Sequence, residues 1–393
     1  MKYYSVPADF NKETVDQYEA LNNRFKDFRV IEVYGNITVD NSMESGRAVD
    51  MLPRKDLLDL FEYVGYLRQR GIDFNYTLNA PFMSRNRDLT PGGIDEIVGF
   101  LEKLYRGGVR ALTVALPSLM EIVRSTGLGF KIKASVLCQV TTPNKAAFYR
   151  QMGVERIVVD ESINRDFFVL QQINRIMDGK VEVIANAVCH KECTYRMFHY
   201  NQMAADSVHI DGPASHDYYK HRCLLRRYEE IGNLLRLSFI RPEDIGYYAD
   251  FGIFYFKLQG RQAIARGQPL RTLESYFKED YEGDLIDMLE MYDPLNSFKV
   301  RVDNKKLAGF IKPFVENPGF CRHNCKECGY CDAFARKCID VKEAEQVIQM
   351  AREFYSQYDR FKKALRQANA KRHAAAGESR EMKAKPPIEL DLG

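Results

Sequence analysis

Several familiar features are missing from this sequence of 393 residues, and each absence narrows what the protein can be. The chain has no run of eighteen apolar residues, no leading basic and apolar signal segment and no lipidation motif, so we expect neither export nor a membrane span. We therefore expect a cytoplasmic protein. Its nine cysteines should stay reduced, because disulfides are rare in that compartment.

The sequence also lacks a large excess of charge of either sign. The 57 basic and 54 acidic residues leave a formal net charge of +3, which is too balanced to indicate a nucleic-acid binder. RNA is thus a possible partner that the charge does not indicate. A basic cluster near the C-terminus is typical of a solvated helix end, with RNA contact as the alternative. It comprises Lys362, Lys363, Arg366, Lys371 and Arg372.

Motifs of the common hydrolases and nucleotide-binding proteins are also absent. No G-x-S-x-G elbow, H-E-x-x-H helix, Walker loop or G-x-G-x-x-G fingerprint occurs. Asp160 and Glu161 are adjacent in a predicted strand, so we expect them to face opposite ways and not to form a catalytic carboxylate pair. The familiar hydrolytic mechanisms therefore receive no support from motifs.

Cysteine, by contrast, is concentrated near the C-terminus, where the run CRHNCKECGYC contains Cys321, Cys325, Cys328 and Cys331. Structural zinc sites usually join two short knuckles across a longer spacer, whereas closely spaced cysteines let one loop wrap an iron–sulfur cluster. Gaps of three, two and two residues therefore favour a [4Fe-4S] cluster, with zinc as the alternative. Cys338, on a predicted helix beyond the run, is expected to be a small buried residue.

A second set of candidate metal ligands, Cys189, Cys193 and Cys223, lies upstream. Three thiolates are one short of the usual set for a cubane cluster. Three sources remain open for the fourth ligand: Cys138, a cysteine borrowed from the C-terminal run, or a non-protein ligand on an open iron. The last would be the most useful chemically, because an open metal position can bind a substrate.

Short apolar runs alternate with longer amphipathic stretches from about residue 28 to residue 260, a pattern that favours parallel strands with crossover helices. Eight such units in about 250 residues are the size of a (β/α)8 barrel. The predicted strands are Arg29–Ile37, Asp73–Ala80, Ala111–Leu116, Lys131–Val140, Arg156–Asp160, Lys180–Ala187, Leu234–Ile240 and Ile253–Leu258.

The fold class predicted from this pattern is α/β, a TIM-type barrel followed by a cysteine-rich segment and a long helix. The predicted divisions are an N-terminal extension (1–28), the barrel with a metal site (29–300), a cysteine-rich metal-binding segment (301–340), an amphipathic helix (341–373) and a disordered tail (374–393).

Arginines that follow predicted strands are candidates for binding an anionic substrate at the barrel mouth. Arg47 follows the first predicted strand, Arg241 ends the seventh and Arg261 follows the eighth. Guanidinium groups bind carboxylates through two parallel hydrogen bonds, so these arginines could converge on one ligand. The alternative is ion pairing with Asp160, Glu161 or Glu243.

With strands and thiols assigned, the chain resembles the collagenase-like peptidases, peptidase family U32. The stretches that carry the resemblance are GVRALTVALPSLMEIV, KIKASVLCQVTTPNKAAFYRQMGVERIVVDESINRDF, CHKECTYRMFHYN, FIRPEDIGYYADFGIFYFKLQGR and NKKLAGFIKPFVEN. Typical members have four cysteines in the central region, whereas this chain has three there and a separate group of four.

The resemblance implies a barrel that carries a [4Fe-4S] cluster near the sixth predicted strand, matched here by Cys189, Cys193 and Cys223. Members of the family include oxygen-independent hydroxylation factors for quinone precursors and others needed to hydroxylate RNA bases, with prephenate implicated as oxygen donor. A small anionic donor such as prephenate and a family-related partner subunit are therefore the implied partners.

The leading hypothesis is a protein with one or two [4Fe-4S] clusters that performs or assists oxygen-independent hydroxylation of an aromatic ring or nucleobase. The three central cysteines would hold the reactive cluster, and the C-terminal four a second cluster for electron transfer or stability. A U32-type peptidase or other hydrolase is the first alternative. A zinc-stapled binding module without catalysis is the second.

Overall fold

The computed structural model describes residues 1–207, 218–262, 264–290 and 298–356, together with positions 364 and 367. Eight parallel strands form a closed barrel in chain order, with the first strand hydrogen-bonded to the last. The strands are β1 (Lys2–Pro7), β2 (Phe28–Gly35), β3 (Asp73–Leu78), β4 (Ala111–Val114), β5 (Lys131–Ala134), β6 (Arg156–Val158), β7 (Val181–Ile184) and β8 (Tyr255–Lys257).

One helix of the outer layer follows each of the first six strands. They are α1 (Lys12–Arg24), α2 (Leu57–Gln69), α3 (Pro91–Arg106), α4 (Pro117–Ser125), α5 (Pro143–Gln151) and α6 (Phe167–Ile176). Local sequence explains several of their first turns. Asp56 accepts from the Asp59 amide and the Asp59 side chain accepts from the Asp56 amide, a capping box that begins α2. Pro91, Pro117 and Pro143 begin three others, where the missing N–H leaves no bond unmade.

The segment between β7 and β8 is long and carries four helices, and a run of helices follows β8. The first four are α7 (Arg196–Ala205), α8 (Tyr218–Arg227), α9 (Gly232–Leu235) and α10 (Ile245–Asp250). Those after β8 are α11 (Pro269–Lys278), α12 (Leu285–Leu289), α13 (Lys312–Glu316), α14 (Cys325–Cys328), α15 (Tyr330–Cys338) and α16 (341–356).

The predicted (β/α)8 barrel is confirmed, but two strand assignments are corrected. Leu234–Ile240 is not a strand of the barrel: its first residues end α9, and Leu237 forms only an isolated antiparallel bridge to His190. Since β7 pairs directly with β8, no place is left between them. The eighth strand is instead β1, so residues assigned to an N-terminal extension supply the first strand and helix of the barrel.

Beyond the barrel, the described part of the chain ends in α16. The basic cluster at 362–372 and the tail at 374–393, both predicted from sequence, lie outside the described residues. Within the described ranges, no helix has the length and apolar character needed to cross a membrane.

Charged side chains fill the interior of the barrel. Lys133 Nζ donates to Glu182 Oε2 at 2.7 Å and also to Glu32, and all three residues are buried. Lys257 Nζ, at the end of β8, lies 3.6 Å from the centre of the Tyr34 ring. This polar interior lies beneath the barrel mouth formed by the carboxyl ends of the strands.

Candidate functional site

The loop after β7 begins the candidate site. Cys189 and Cys193 lie in this loop, and Cys223 lies on α8, which follows in the same β7–β8 segment. In barrels of this kind, the loops after the strands form the functional face. The ring of His190, between the first two cysteines, lies 3.3 Å from the Cys223 carbonyl oxygen through Nε2, so it joins the loop to α8.

The three thiols lie close enough to influence one another's ionisation. Burial, together with the neighbouring thiols of Cys223 and Cys193, raises the pKa of Cys189 to about 12. Burial also raises the pKa of Cys223, while the Arg227 guanidinium opposes this. The thiols of Cys189 and Cys223 therefore stay protonated when no metal ion is bound. Thiolates are favoured there when a cation such as a metal ion is shared between them.

Cys138, one candidate for the fourth ligand, is engaged elsewhere. Its buried thiol donates to the carbonyl oxygens of Ala115 at 3.4 Å and Val114 at 3.7 Å. Burial raises the pKa of Cys138 to about 11, with Tyr149 as its hydrogen-bonding neighbour. Cys189 and Cys223 thus line one cavity at the barrel mouth, and Cys138 is not among its lining residues.

A cavity of about 210 Å³ opens at the barrel mouth beside these thiols. Cys189 and Cys223 line one side, and Arg47 lines another. Arg227 also lines the cavity, where its buried guanidinium donates to Glu290 Oε1 at 2.7 Å. Thiols and a cation therefore face one small space.

Arg261 is buried next to this cavity, since its neighbours Gly260 and Gln262 line it. The guanidinium donates to the side chains of Asn36, Thr77 and Asn79. Burial and the charge of nearby Arg47 together lower the pKa of Arg261 to about 9.

Arg47 and Arg261 share one property that matters for ligand binding. Arg47 donates to Gln262 Oε1 at 3.0 Å and to the Gly46 carbonyl oxygen at 2.7 Å. Among the described residues, neither Arg47 nor Arg261 forms an ion pair with a carboxylate. Two guanidinium groups therefore lie together without a counter-charge, which favours an anionic ligand beside them.

Arg241 does not join them. Its buried guanidinium pairs with Glu243 at 3.1 Å and Asp244 at 3.8 Å, and it donates to Asn304 Oδ1 at 2.9 Å. The predicted convergence of Arg241 with Arg261 is thus corrected, and the alternative pairing with Glu243 is found. The reason is that Arg241 precedes the turn Pro242–Asp244 and does not end a barrel strand.

Asp160 and Glu161 also differ from expectation, because both bind one cation. Arg196 Nη1 donates to both Asp160 carboxylate oxygens at 2.7 Å, and Arg196 Nη2 donates to Glu161. Strand β6 ends at Val158, and Asp160 caps the helical turn that follows, so strand alternation no longer applies. The two carboxylates hold the start of α7 against the barrel.

The C-terminal cysteines form a second group, the quartet, defined as Cys321, Cys325, Cys328 and Cys331. All four line a cleft of about 30 Å³ between α13, α14 and α15. Cys338 lies apart from them and is buried, its thiol donating to the Ala335 carbonyl oxygen at 3.8 Å.

Three quartet cysteines, Cys321, Cys325 and Cys331, also face a larger cavity of about 310 Å³. The β7–α7 loop forms the opposite side. Lys191 Nζ lies 3.6 Å from Cys321 Sγ, and Glu192 Oε1 lies 3.7 Å from His323 Nδ1. The loop that carries Cys189 and Cys193 therefore borders the quartet through His190, Lys191 and Glu192.

In the ranges that the structure describes, no three side chains of His, Cys, Asp or Glu are already arranged around a single ion position. The donor chemistry nevertheless fits a thiolate-bound centre at both groups, because cysteines alone supply the ligand atoms. Lys191, Arg227 and Arg165 near the thiols were not foreseen, since only folding brings them there. For Lys191 alone, its position between Cys189 and Cys193 in the sequence indicated that it would lie near thiols.

Comparison with known proteins adds family information to this geometry. Residues 55–223 match peptidase family U32. An uncharacterized protease of Methanocaldococcus jannaschii, MJ1657, is 28% identical over 344 residues, which cover 86% of this chain and 98% of that protein. In this region the chain is thus similar to proteins of family U32.

Among solved structures, the U32 peptidase Mk0906 covers 66% of this chain and 92% of its own, with 15% identity and a TM-score of 0.48. A D-psicose 3-epimerase from Clostridium cellulolyticum H10 covers 66% of this chain and 84% of its own, with 12% identity and a TM-score of 0.34. Neither likeness bears on activity.

Proposed function

We propose that this U32-type barrel binds an iron–sulfur cluster through Cys189, Cys193 and Cys223 and a small anion through Arg47 and Arg261. The proposed activity is to perform or assist oxygen-independent hydroxylation of an aromatic ring or nucleobase. The observation that carries the proposal is the single mouth cavity shared by Cys189, Cys223 and Arg47.

The thiols support the first part of this proposal. Burial raises the pKa of both Cys189 and Cys223, which makes them poor isolated nucleophiles but suitable ligands, because a bound metal replaces their protons. The Arg227–Glu290 pair lies against them and would limit the charge of the bound thiolates. A [4Fe-4S] cluster bound there would supply electron transfer and one iron without a protein thiolate.

The arginines support the second part. A guanidinium without a counter-charge is costly when buried, and a carboxylate that enters the cavity would offset this cost. Asn36, Thr77 and Asn79 fix the orientation of Arg261, so its charge is already in place before the ligand arrives. A dicarboxylate donor such as prephenate fits two arginines better than it would fit one.

Anaerobic isothermal titration with prephenate tests the anion site. We expect Arg261→Lys to weaken binding by about 1.5 to 3 kcal/mol, because lysine keeps the charge but loses the paired hydrogen bonds. Arg241→Lys is the matched control, since Arg241 already pairs with Glu243. Equal affinity in wild type and the Arg261 variant, or no binding to either, would remove prephenate from the proposal.

Metal analysis tests the cluster. Replacing Cys189 and Cys193 together by serine should remove the barrel iron and sulfide and leave the barrel folded, whereas Cys138→Ser should keep both. Loss of iron in the Cys138 variant would show that the fourth ligand is a cysteine.

A peptidase is the second candidate, and the M. jannaschii relative named as a protease favours it. His199 lines the same cavity as Cys189, so a thiol and an imidazole are both present. Burial holds the pKa of Cys189 far above that of an activated thiolate, which argues against a cysteine nucleophile. Hydrolysis of a peptide library by the metal-free protein, lost in Cys189→Ser, would establish this alternative.

A further inference from the structure

The quartet lies outside the barrel and outside the region 55–223 that matches the U32 family. Cys325 and Cys328 begin and end the single turn of α14, and Cys331 lies in the first turn of α15. Gly329 joins these helices with a φ of 62°, a left-handed conformation that glycine adopts without strain. This turn brings the ends of two helices, and their thiols, to one cleft.

Nearby cations give the cleft a positive environment. Arg165 donates to the carbonyl oxygens of Leu235 at 2.8 Å and Leu237 at 2.7 Å, and its guanidinium stacks 4.6 Å from the centre of the Phe239 ring. Its Nε is shielded from solvent and has no hydrogen-bond partner. Lys191 approaches Cys321 from the opposite side.

The charges of Arg165 and Lys191 are not paired with carboxylates among the described residues. Both cations line the cavity of about 310 Å³ that Cys321, Cys325 and Cys331 also face.

We propose that Cys321, Cys325, Cys328 and Cys331 bind one metal centre through four thiolates, with Arg165 and Lys191 as its counter-charges. A divalent ion would displace four protons, and four thiolates with that ion carry a net charge of −2. A [4Fe-4S]²⁺ cluster on the same thiolates carries the same charge. Two cations beside the cleft therefore match either centre.

The volume of the site is compatible with both. The cleft itself, about 30 Å³, suits a single ion. Cys321, Cys325 and Cys331 also border the cavity of about 310 Å³, which gives room for a larger cluster on that side. The shared chemistry is tetrathiolate binding, and elemental analysis separates zinc from iron and sulfide.

Full-length protein purified without oxygen tests this centre. Zinc, iron and acid-labile sulfide per chain are measured in wild type, in Cys325→Ser/Cys328→Ser and in Cys338→Ser as the matched control. We expect the double variant to lose either one zinc or about four irons with their sulfide, while the control keeps them.

The outcome is independent of the barrel site, because Cys189→Ser/Cys193→Ser should leave this second metal pool in place. Equal metal content in wild type and in the Cys325/Cys328 variant would overturn the proposal. So would a wild-type protein that takes up neither zinc nor iron with sulfide after reconstitution.

Release of the metal to a chelator tests the role of Arg165 as a positioning residue. We expect Arg165→Gln to release metal about tenfold faster, and Arg165→Lys to stay near wild type, because the charge is what matters. Circular dichroism of the metal-free proteins checks that both variants fold. Equal release rates in all three folded proteins would remove Arg165 from the proposal while the cysteine variants still test the ligands.

Discussion

Lys191 Nζ lies 3.6 Å from Cys321 Sγ, so the loop that carries Cys189 and Cys193 touches the quartet. The neighbouring contact between Glu192 and His323 extends the same interface. The loop residues His190, Lys191 and Glu192 thus line the same cavity as Cys321, Cys325 and Cys331, and Lys191 lies two residues from both Cys189 and Cys193 in the chain.

Substitution of Lys191 tests this contact. We expect Lys191→Ala to weaken metal retention by the quartet by about 0.5 to 1 kcal/mol, a small value because the contact is partly exposed. Chelator competition measures the effect, and Lys180→Ala, an exposed change just before β7, is the control. If the two variants retained metal equally, the contact would have no influence on the quartet.

The interior lysine Lys133 should be essential for stability. Its removal in Lys133→Met leaves the buried Glu32 and Glu182 carboxylates with the more distant Arg156, at 3.7 and 3.4 Å, as their remaining ion-pair partner, which should cost about 3 kcal/mol. Urea unfolding measures the loss. Lys131→Met, an exposed position on the same strand, should change stability by no more than about 0.5 kcal/mol.

For Lys257 we expect the opposite effect: its removal should raise the free energy of unfolding, by an amount that depends on pH. Burial and the charge of Lys133 together lower the pKa of Lys257 to about 7. Between about pH 7 and 10 the unfolded chain holds a proton that the folded protein lacks, so this group's contribution to stability rises with pH. Below about pH 7 both states are protonated and the full cost is present.

Lys257→Met should therefore stabilise the protein at pH 7, and its advantage should shrink by about 1.4 kcal/mol per pH unit towards pH 9. Urea unfolding of variant and wild type at both pH values gives this difference. An advantage that does not change with pH would mean that Lys257 remains charged in the folded protein.

Deletion of residues 1–7 tests the role of β1. Because β1 pairs with both β2 and β8, its loss opens the barrel, and we expect the truncated chain to lose cooperative unfolding in urea. Exposed Glu13→Ala on α1 should unfold like wild type. A truncated chain as stable as wild type would show that the barrel closes without β1.

Most of the barrel could be predicted from the sequence, because strands such as Ala111–Val114 and Val181–Ile184 are fully buried and consist mainly of apolar residues, with Glu182 as an exception. β1 was missed because six residues at a chain end, closed by Pro7, give little pattern to recognise. Leu234–Ile240 has the composition of a strand. It is excluded from the barrel because β7 pairs directly with β8, and the local sequence pattern does not show which strands pair.

The site was less predictable than the fold. Cysteine spacing identified both groups of thiols, since candidate metal ligands can be recognised by residue type alone. Residue type does not separate the arginines in this way, because Arg241 and Arg261 both follow apolar runs. Only the position of Glu243 and Asp244 distinguishes the ion-paired Arg241 from Arg261, which has amide and hydroxyl partners instead of a carboxylate. Asp160 and Glu161 were misjudged for the related reason that β6 ends two residues earlier than expected.

The pairing of Tyr3 with Tyr255 also means that the barrel can close only late in synthesis of the chain. The first strand leaves the ribosome roughly 250 residues before its last neighbour, a delay of about 12 to 50 s at ordinary rates of synthesis. Until then β1 has one edge without a partner, and the cysteines at 189, 193 and 223 emerge before the barrel can close around their loop. If those thiols bind a metal as proposed, the metal can reach them before the fold is complete, whereas the quartet is synthesised only after β8 has emerged.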